Sequence, residues 1–413
     1  MSIIAWVDYD DNQRQRMNEL VKMFKETDAR DELGLGVIRD SLADLYFPGT
    51  MTLQTRIKYM LFIPWIFQDL EEKEYDADKF EAMADTKERE LSKLLIKNSA
   101  KDEWGIFGKV KEDVERLPSS IYWVGLQEWG IRQFDGSLYE YYQGLKDYYV
   151  GIKKNSIKDN KDDDNDILDP FIKNWHPGIP KKPNNFPQGA IFDLTKDESE
   201  YLIERIRTKH PGSVFAQMLD DIRKIDEEDL WLCPKLSKLE KKQQSWIEHG
   251  RKFSKVMNGA ALLYNYYIST LLKEEGHDKG KAWQASYRGK IEEWVKSMLS
   301  EFKKIAAWDI DEFWEVVKIK ANGNYLRARD FTNSWIEIVK AQGALENIIK
   351  NEKAKRLIYT REMYLKNRYS RLKNTDARKR WNGEAGSGVR PFNYRWNVAK
   401  NYINELWEGI NRK

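Results

Sequence analysis

The chain has a single cysteine, Cys233, among 413 residues. No intramolecular disulfide framework is possible, which excludes small secreted scaffolds held by cross-links and fits a reducing compartment. Cys233 sits in LWLCPKL with no histidine in a partnering motif, so it reads as a small buried hydrophobe rather than a nucleophile. The four histidines, His176, His210, His249 and His277, are dispersed and unpaired with cysteine, so no zinc site is expected. Long apolar runs are missing too. The longest, 60–67, is eight residues and contains Pro64, against the roughly 20 a membrane helix needs. The opening MSIIAWVDYDD has no basic n-region and meets acidic residues at once, so it does not read as a signal peptide. The expectation is a cytoplasmic, soluble protein.

Motifs for nucleotide and metal chemistry are incomplete. A phosphate loop at 276–282 (GHDKGKA) is one residue short and lacks the hydroxyl. At the same place His277-x-Lys279 resembles half of a phospholipase-D signature, but Gln284 stands where Asp is required and there is no second copy. Gly34-Leu35-Gly36 lacks the third glycine of a dinucleotide fingerprint. Asp162, Asp164 and Asp166 alternate as in a calcium loop, yet Ile167 replaces the needed Gly and Lys173 the bidentate Glu. Glu315 and Lys318 have neither the spacing nor the sheet of a restriction-type nuclease. No cofactor and no catalytic residue are assigned.

What the chain does have is charge and aromatic residues. It is 41% hydrophobic and 33% charged with 16 Trp and 21 Tyr, the composition of a globular protein too long for one core. The net charge of +3 hides an asymmetry, because residues 351–413 hold 16 Lys and Arg against 6 Asp and Glu, leaving 1–350 at −7. That places one polyanion-facing surface at the C-terminus.

Apolar periodicity is helical nearly throughout, so the expected fold is mainly α. Two helical domains, 1–152 and 191–413, are expected on either side of a polar, proline-rich linker at 153–190, with few short strands (3–9 and 190–194). Ser137 with Glu140, Thr195 with Glu198, Ser237 with Glu240 and Asp309 with Glu312 read as helix starts. Ser119 or Ser120 is expected to cap a helix over 121–130, and Gly276 to end a long helix begun near Lys238 whose 256–272 portion is the buried centre. Asn258 and Asn265 there read as structural hydrogen-bonders.

The stretch 28–65 is dense in paired charge (Arg30, Asp31, Glu32, Arg39, Asp40, Asp44, Arg56) and broken by Phe47-Pro48-Gly49-Thr50, where two helices are expected to meet at a sharp corner near Gln54. Pro64 is expected to kink or restart the second helix. The charged residues and Gln54 form either a partner-docking face or a reserve site, in which Asp40 and Asp44, four apart on one helix face, hold a divalent ion. The segment 353–380 interleaves Lys and Arg with Tyr359, Tyr364 and Tyr369, the footprint of a nucleic-acid surface. Its candidates are Arg361, Lys366, Arg368, Arg371, Lys373, Arg378, Lys379 and Arg380, followed past a glycine-rich loop by Arg390 and Arg395.

The pattern DELGLGVIRDSLADLYFPGT with the following QTR, together with LPSSIYWVGLQEWGI, GAALLYNYYIS, RWNGEAG and FNYRWNVAKNYINELWEGI, resembles a bacterial family of proteins of this length without assigned activity. The resemblance implies a place in anti-phage defence islands beside helicases and phospholipase-D-type nucleases. The expected function is therefore a nucleic-acid-binding accessory subunit, its ligand DNA, acting with a helicase or nuclease partner. Two other readings stay open: a scaffold binding an acidic protein, and a metal-dependent nuclease using Asp40 and Asp44.

Overall fold

The structure, a computed structural model, describes residues 33–109, 116–158, 173–318, 326–341, 343–384, 386 and 388–412. It is mainly α, as the periodicity predicts. Arg30, Asp31, Glu32, the calcium-loop aspartates and the expected strand 3–9 lie outside the described residues. No helix among the described residues is long and apolar enough to cross a membrane.

The chain divides into two compact units, and the division does not follow the change in composition. One unit is Met1–Leu42 with Ser245–Asn393; the other is Ala43–Gln244 with Tyr394–Lys413. The described residues of the expected linker, 153–158 and 173–190, pack within the second unit. Arg132 bridges to Trp175, Trp65 Nε1 donates to Pro180 O at 2.8 Å, and Asn174 Nδ2 donates to Glu71 at 2.8 Å. Composition marks a polar stretch, but contacts made by its Trp and Pro residues decide which unit owns it.

In the first unit the Lys241–Glu274 helix supplies the core, with Phe253, Val256, Met257, Leu263, Tyr264 and Ile268 buried. The Gly280–Ser300 helix crosses it at Gly259, where an added Cβ would lie 2.2 Å from the Trp294 ring. Trp294 Nε1 donates to Lys255 O at 2.8 Å, locking that approach. Asn258 Nδ2 donates to Gly388 O and Asn265 Nδ2 to Ala261 O, the structural roles expected. Gly276, at φ +75°, closes the long helix with His277 N donating to Leu272 O.

In the second unit the Tyr59–Glu71 helix is buried at ten positions, Pro64 included. Pro64 neither restarts nor ends it, because packing on all sides outweighs one missing hydrogen bond. The Phe47-Pro48-Gly49-Thr50 turn forms, with Gly49 at φ +78° against the Trp129 indole, whose Nε1 donates to Pro48 O at 2.9 Å. The second helix does not start at that corner. Thr50 Oγ1 donates to Phe47 O, and Gln54 Oε1 accepts from Met51 N, so side chains take up the backbone groups until Tyr59.

Three further expectations need correction. Residues 190–194 alternate in burial like a strand but pair with no other strand among the described residues. Side chains bond their carbonyls instead, Asn98 Nδ2 to Ala190 O and Lys58 Nζ, itself 3.1 Å from Glu198, to Asp193 O. The Pro118–Glu128 helix has no serine cap; Glu88, 1% exposed, accepts from Ser119 N at 2.7 Å. The boxes at Thr195 and Ser137 form, and Asp309 caps its helix by accepting from Glu312 N. Ser237 instead lies in the short 3-10 turn Pro234–Lys238, and the long helix starts at Lys241. Cys233 is buried, as expected.

Two measurements test this packing. Gly259→Ala should lose about 1–3 kcal/mol in denaturant unfolding, because Trp294 has no room to retreat. Burial pushes the Glu88 carboxyl up to about 7. Its folded pKa is thus above the unfolded value, so its stabilising contribution is complete below about pH 4.5 and is lost as pH rises through 7, by at most about 3 kcal/mol. The Glu88→Gln variant should gain on the wild type across that window; a constant difference in unfolding free energy would refute the shift.

Candidate nucleic-acid interface

The basic segment begins as the Glu352–Lys366 helix, capped by Asn351, whose side chain accepts from Ala354 N at 3.1 Å. Ala354, Ile358, Arg361 and Glu362 form its buried face. The helix ends as Asn367 takes φ +48°. A tight turn follows through 367–373, then the short Thr375–Lys379 helix, capped by Asn374.

Glu362 organises the turn. It is fully buried and accepts from Arg371 N at 2.7 Å, Leu372 N at 3.2 Å, Tyr264 Oη at 3.1 Å and Ser370 Oγ. Lys366 Nζ stands 3.6 Å away and reaches Tyr264 Oη at 3.1 Å. A buried carboxylate receiving two backbone N–H groups is charge-assisted hydrogen bonding, and it fixes the turn's backbone.

The ten basic candidates separate by burial. Arg361 is buried, with Nε donating to Leu33 O at 2.9 Å, Nη2 to Gly34 O at 3.0 Å and Nη1 to Arg327 O at 3.1 Å. Arg378 is buried as well, bonded to Glu275 and to Arg371 O. These two build the surface rather than face solvent. Lys366 and Arg371 are half-buried, whereas Arg368, Lys373, Lys379, Arg380 and Arg390 are exposed. Arg395 belongs to the second unit, where Nη1 donates to Asp44 Oδ1 at 2.5 Å and Thr50 O at 2.7 Å.

The tyrosines separate too. Five residues on a helix turn the side chain by about 140°, so three tyrosines at that interval cannot share one helix face. Tyr359 packs on Tyr267, at 5.9 Å between rings. Tyr364 is 52% exposed and Tyr369, past the helix end, is 62% exposed. Each carries a guanidinium on its ring. Arg327 lies 4.4 Å over Tyr364 and Arg368 4.9 Å over Tyr369, whose hydroxyl also accepts from Arg368 Nη2 at 2.8 Å. Arg327, on the Leu326–Lys340 helix, is the residue the sequence missed, since nothing local ties it to position 364.

The reserve residues are engaged internally. Arg39 pairs with its neighbour Asp40 at 3.0 Å, and Asp44 pairs with Arg395. Gln54 Nε2 donates to Gly49 O, while its Oε1 accepts from Tyr402 Oη at 3.2 Å. Arg56 pairs with Glu405 at 2.5 Å and with Glu103, and stacks on Phe192 at 4.4 Å. Among the described residues no group of three or more His, Cys, Asp or Glu is placed to hold a metal ion.

If Glu362 holds the turn, Glu362→Ala should cost about 3 kcal/mol or more by stranding its donors. Amide exchange at Arg371 and Leu372 should accelerate with it, and unchanged protection there would refute the role.

A family model described as a family of unknown function (DUF6361) matches residues 1–409. No curated protein and no solved structure matches the chain.

Proposed function

We propose, for a chain that belongs to this family of unknown function, that it is a nucleic-acid-binding accessory subunit whose contact surface is the turn 367–373 with the adjoining end of the Glu352–Lys366 helix. The observation that carries the reading is the pair of exposed tyrosines, Tyr364 and Tyr369, each with an arginine on its ring. Arginine and lysine neutralise phosphates, and a tyrosine face accepts a base of any sequence. Exposed rings suit unpaired bases, so the form favoured is single-stranded DNA. The turn is held by Glu362 before any ligand arrives, so little ordering is required on binding. Lys373 completes the cationic side of the turn, with Lys379 ending the next helix and Arg380 just past it. The place in anti-phage defence, with catalysis left to a helicase or nuclease partner, is proposed from the family resemblance of the signature segments alone.

Anisotropy of a labelled 30-nucleotide single strand and its duplex, titrated from low to high salt, tests the reading. Affinity should fall log-linearly with salt, and Arg368→Ala or Lys373→Ala should each flatten the single-strand slope by about 0.7. Tyr369→Ala should weaken binding by about 1–3 kcal/mol at unchanged slope. Absence of binding at low salt would overturn the proposal, as would variants that bind like the wild type.

A further inference from the structure

His249 sits on the Lys241–Glu274 helix in the first unit and is 5% exposed. Trp308, 3% exposed, occupies the corner between the short Phe302–Ala306 helix and the Ile310–Lys318 helix. Its indole Nε1 donates to His249 Nδ1 at 2.9 Å. An indole N–H can only donate, so Nδ1 carries the lone pair and the ring proton is on Nε2, 3.5 Å from Glu312 Oε1. Phe313 closes the cluster, its ring 6.0 Å from the imidazole and 5.1 Å from the indole.

The imidazole is therefore one proton away from losing this partner. A proton taken up from solvent goes to Nδ1, the ring nitrogen that lacks one, and N–H then faces N–H in a buried contact. The surrounding charges pull in both directions. Asp309 and Glu312, at the start of the Ile310–Lys318 helix, favour the imidazolium, while Lys252 on the helix of His249 opposes it. Lys340, at the end of the Leu326–Lys340 helix, adds a cation beside the corner, its Nζ donating to Trp308 O at 2.8 Å. Glu248 is committed to Arg251 and Lys252, with Lys304 of the Phe302–Ala306 helix also acting on it. Burial outweighs all of these and holds the His249 pKa below its ordinary value. A folded pKa below the unfolded one means that the neutral ring's contribution to stability is complete above about pH 6.5 and is lost as pH falls.

We propose that His249 and Trp308 form an acid-released latch, in which protonation of His249 expels the indole and frees the corner 307–309 while the rest of the unit stays folded. The other bonds at the corner hold its backbone and leave the indole to the latch: Trp308 N donates to Ile305 O at 3.1 Å, and Lys340 reaches Trp308 O. Trp335 Nε1 donates to Val256 O at 2.9 Å and fixes the middle of the Leu326–Lys340 helix to the long helix, so the release stops short of Arg327. The latch uses none of the residues of the proposed nucleic-acid surface, so either proposal can fail alone.

Indole resonances of the full chain carrying isotopically labelled tryptophan, followed from about pH 7.5 to about pH 5, test it, the Trp308 signal being identified by its loss in Trp308→Phe. The Trp308 indole N–H should exchange with solvent about 10-fold faster or more at the acid end. Its midpoint should lie below the ordinary histidine value of 6.5, while the Trp294 and Trp335 signals and the far-ultraviolet circular dichroism hold. His249→Asn keeps an acceptor near the Nδ1 position without a titrating ring and should abolish the transition. Glu312→Gln, at an exposed position, should lower the midpoint by about 0.2–0.7 pH unit, and it carries the test if the asparagine variant does not fold. The proposal is overturned by a Trp308 signal that changes only together with the other indoles, by a transition that persists in His249→Asn, or by a midpoint that Glu312→Gln leaves in place.

Discussion

The pairing of Arg56 with Glu405 is the contact on which the second unit depends. It joins distant parts of the chain: Glu405 Oε2 also accepts from Ile57 N, 348 positions away, at 2.8 Å, tying the loop after the first turn to the Trp396–Asn411 helix. Burial drives the Glu405 carboxyl up to about 7 while the Arg56 charge pulls it down. Such a pair adds little net stability, but losing one partner leaves the other charged in a dry interior, which commonly costs 3–5 kcal/mol. Gln54 with Tyr402 and Asp44 with Arg395 repeat the connection. Within the second unit the stretches 44–56 and 395–405 are therefore joined by polar pairs, which account for Asp44, Gln54 and Arg56 structurally.

Glu362 has the equivalent place in the first unit. Its acceptors leave the turn 367–373 no alternative backbone arrangement with the same bonds, and that rigidity separates a positioned pair of tyrosines from a loose basic tail.

Helix boundaries were legible where the signal is local. Thr195 with Glu198, Ser137 with Glu140, Asp309 and Gly276 act within four residues of themselves, and each terminates or starts its helix as expected. Reading failed where a distant side chain supplied the partner. Glu88 caps a helix 30 residues on, Asn98 and Lys58 take the carbonyls of a would-be strand, and Trp175 draws the expected linker into the second unit. Basic character alone did not reveal that Arg361 and Arg378 are interior while Arg368 and Lys373 are exposed.

By itself the sequence determined the helical class, the capping boxes, the buried centre of the long helix and the concentration of cations with tyrosines near the C-terminus. Those depend on period, composition and neighbours a turn away. Only the tertiary structure decided which arginines face solvent, that Arg327 stands on Tyr364, and that Glu362 holds the turn 367–373. The reason is physical: burial and pairing are properties of groups brought together from separate helices, and no local pattern records which groups those are.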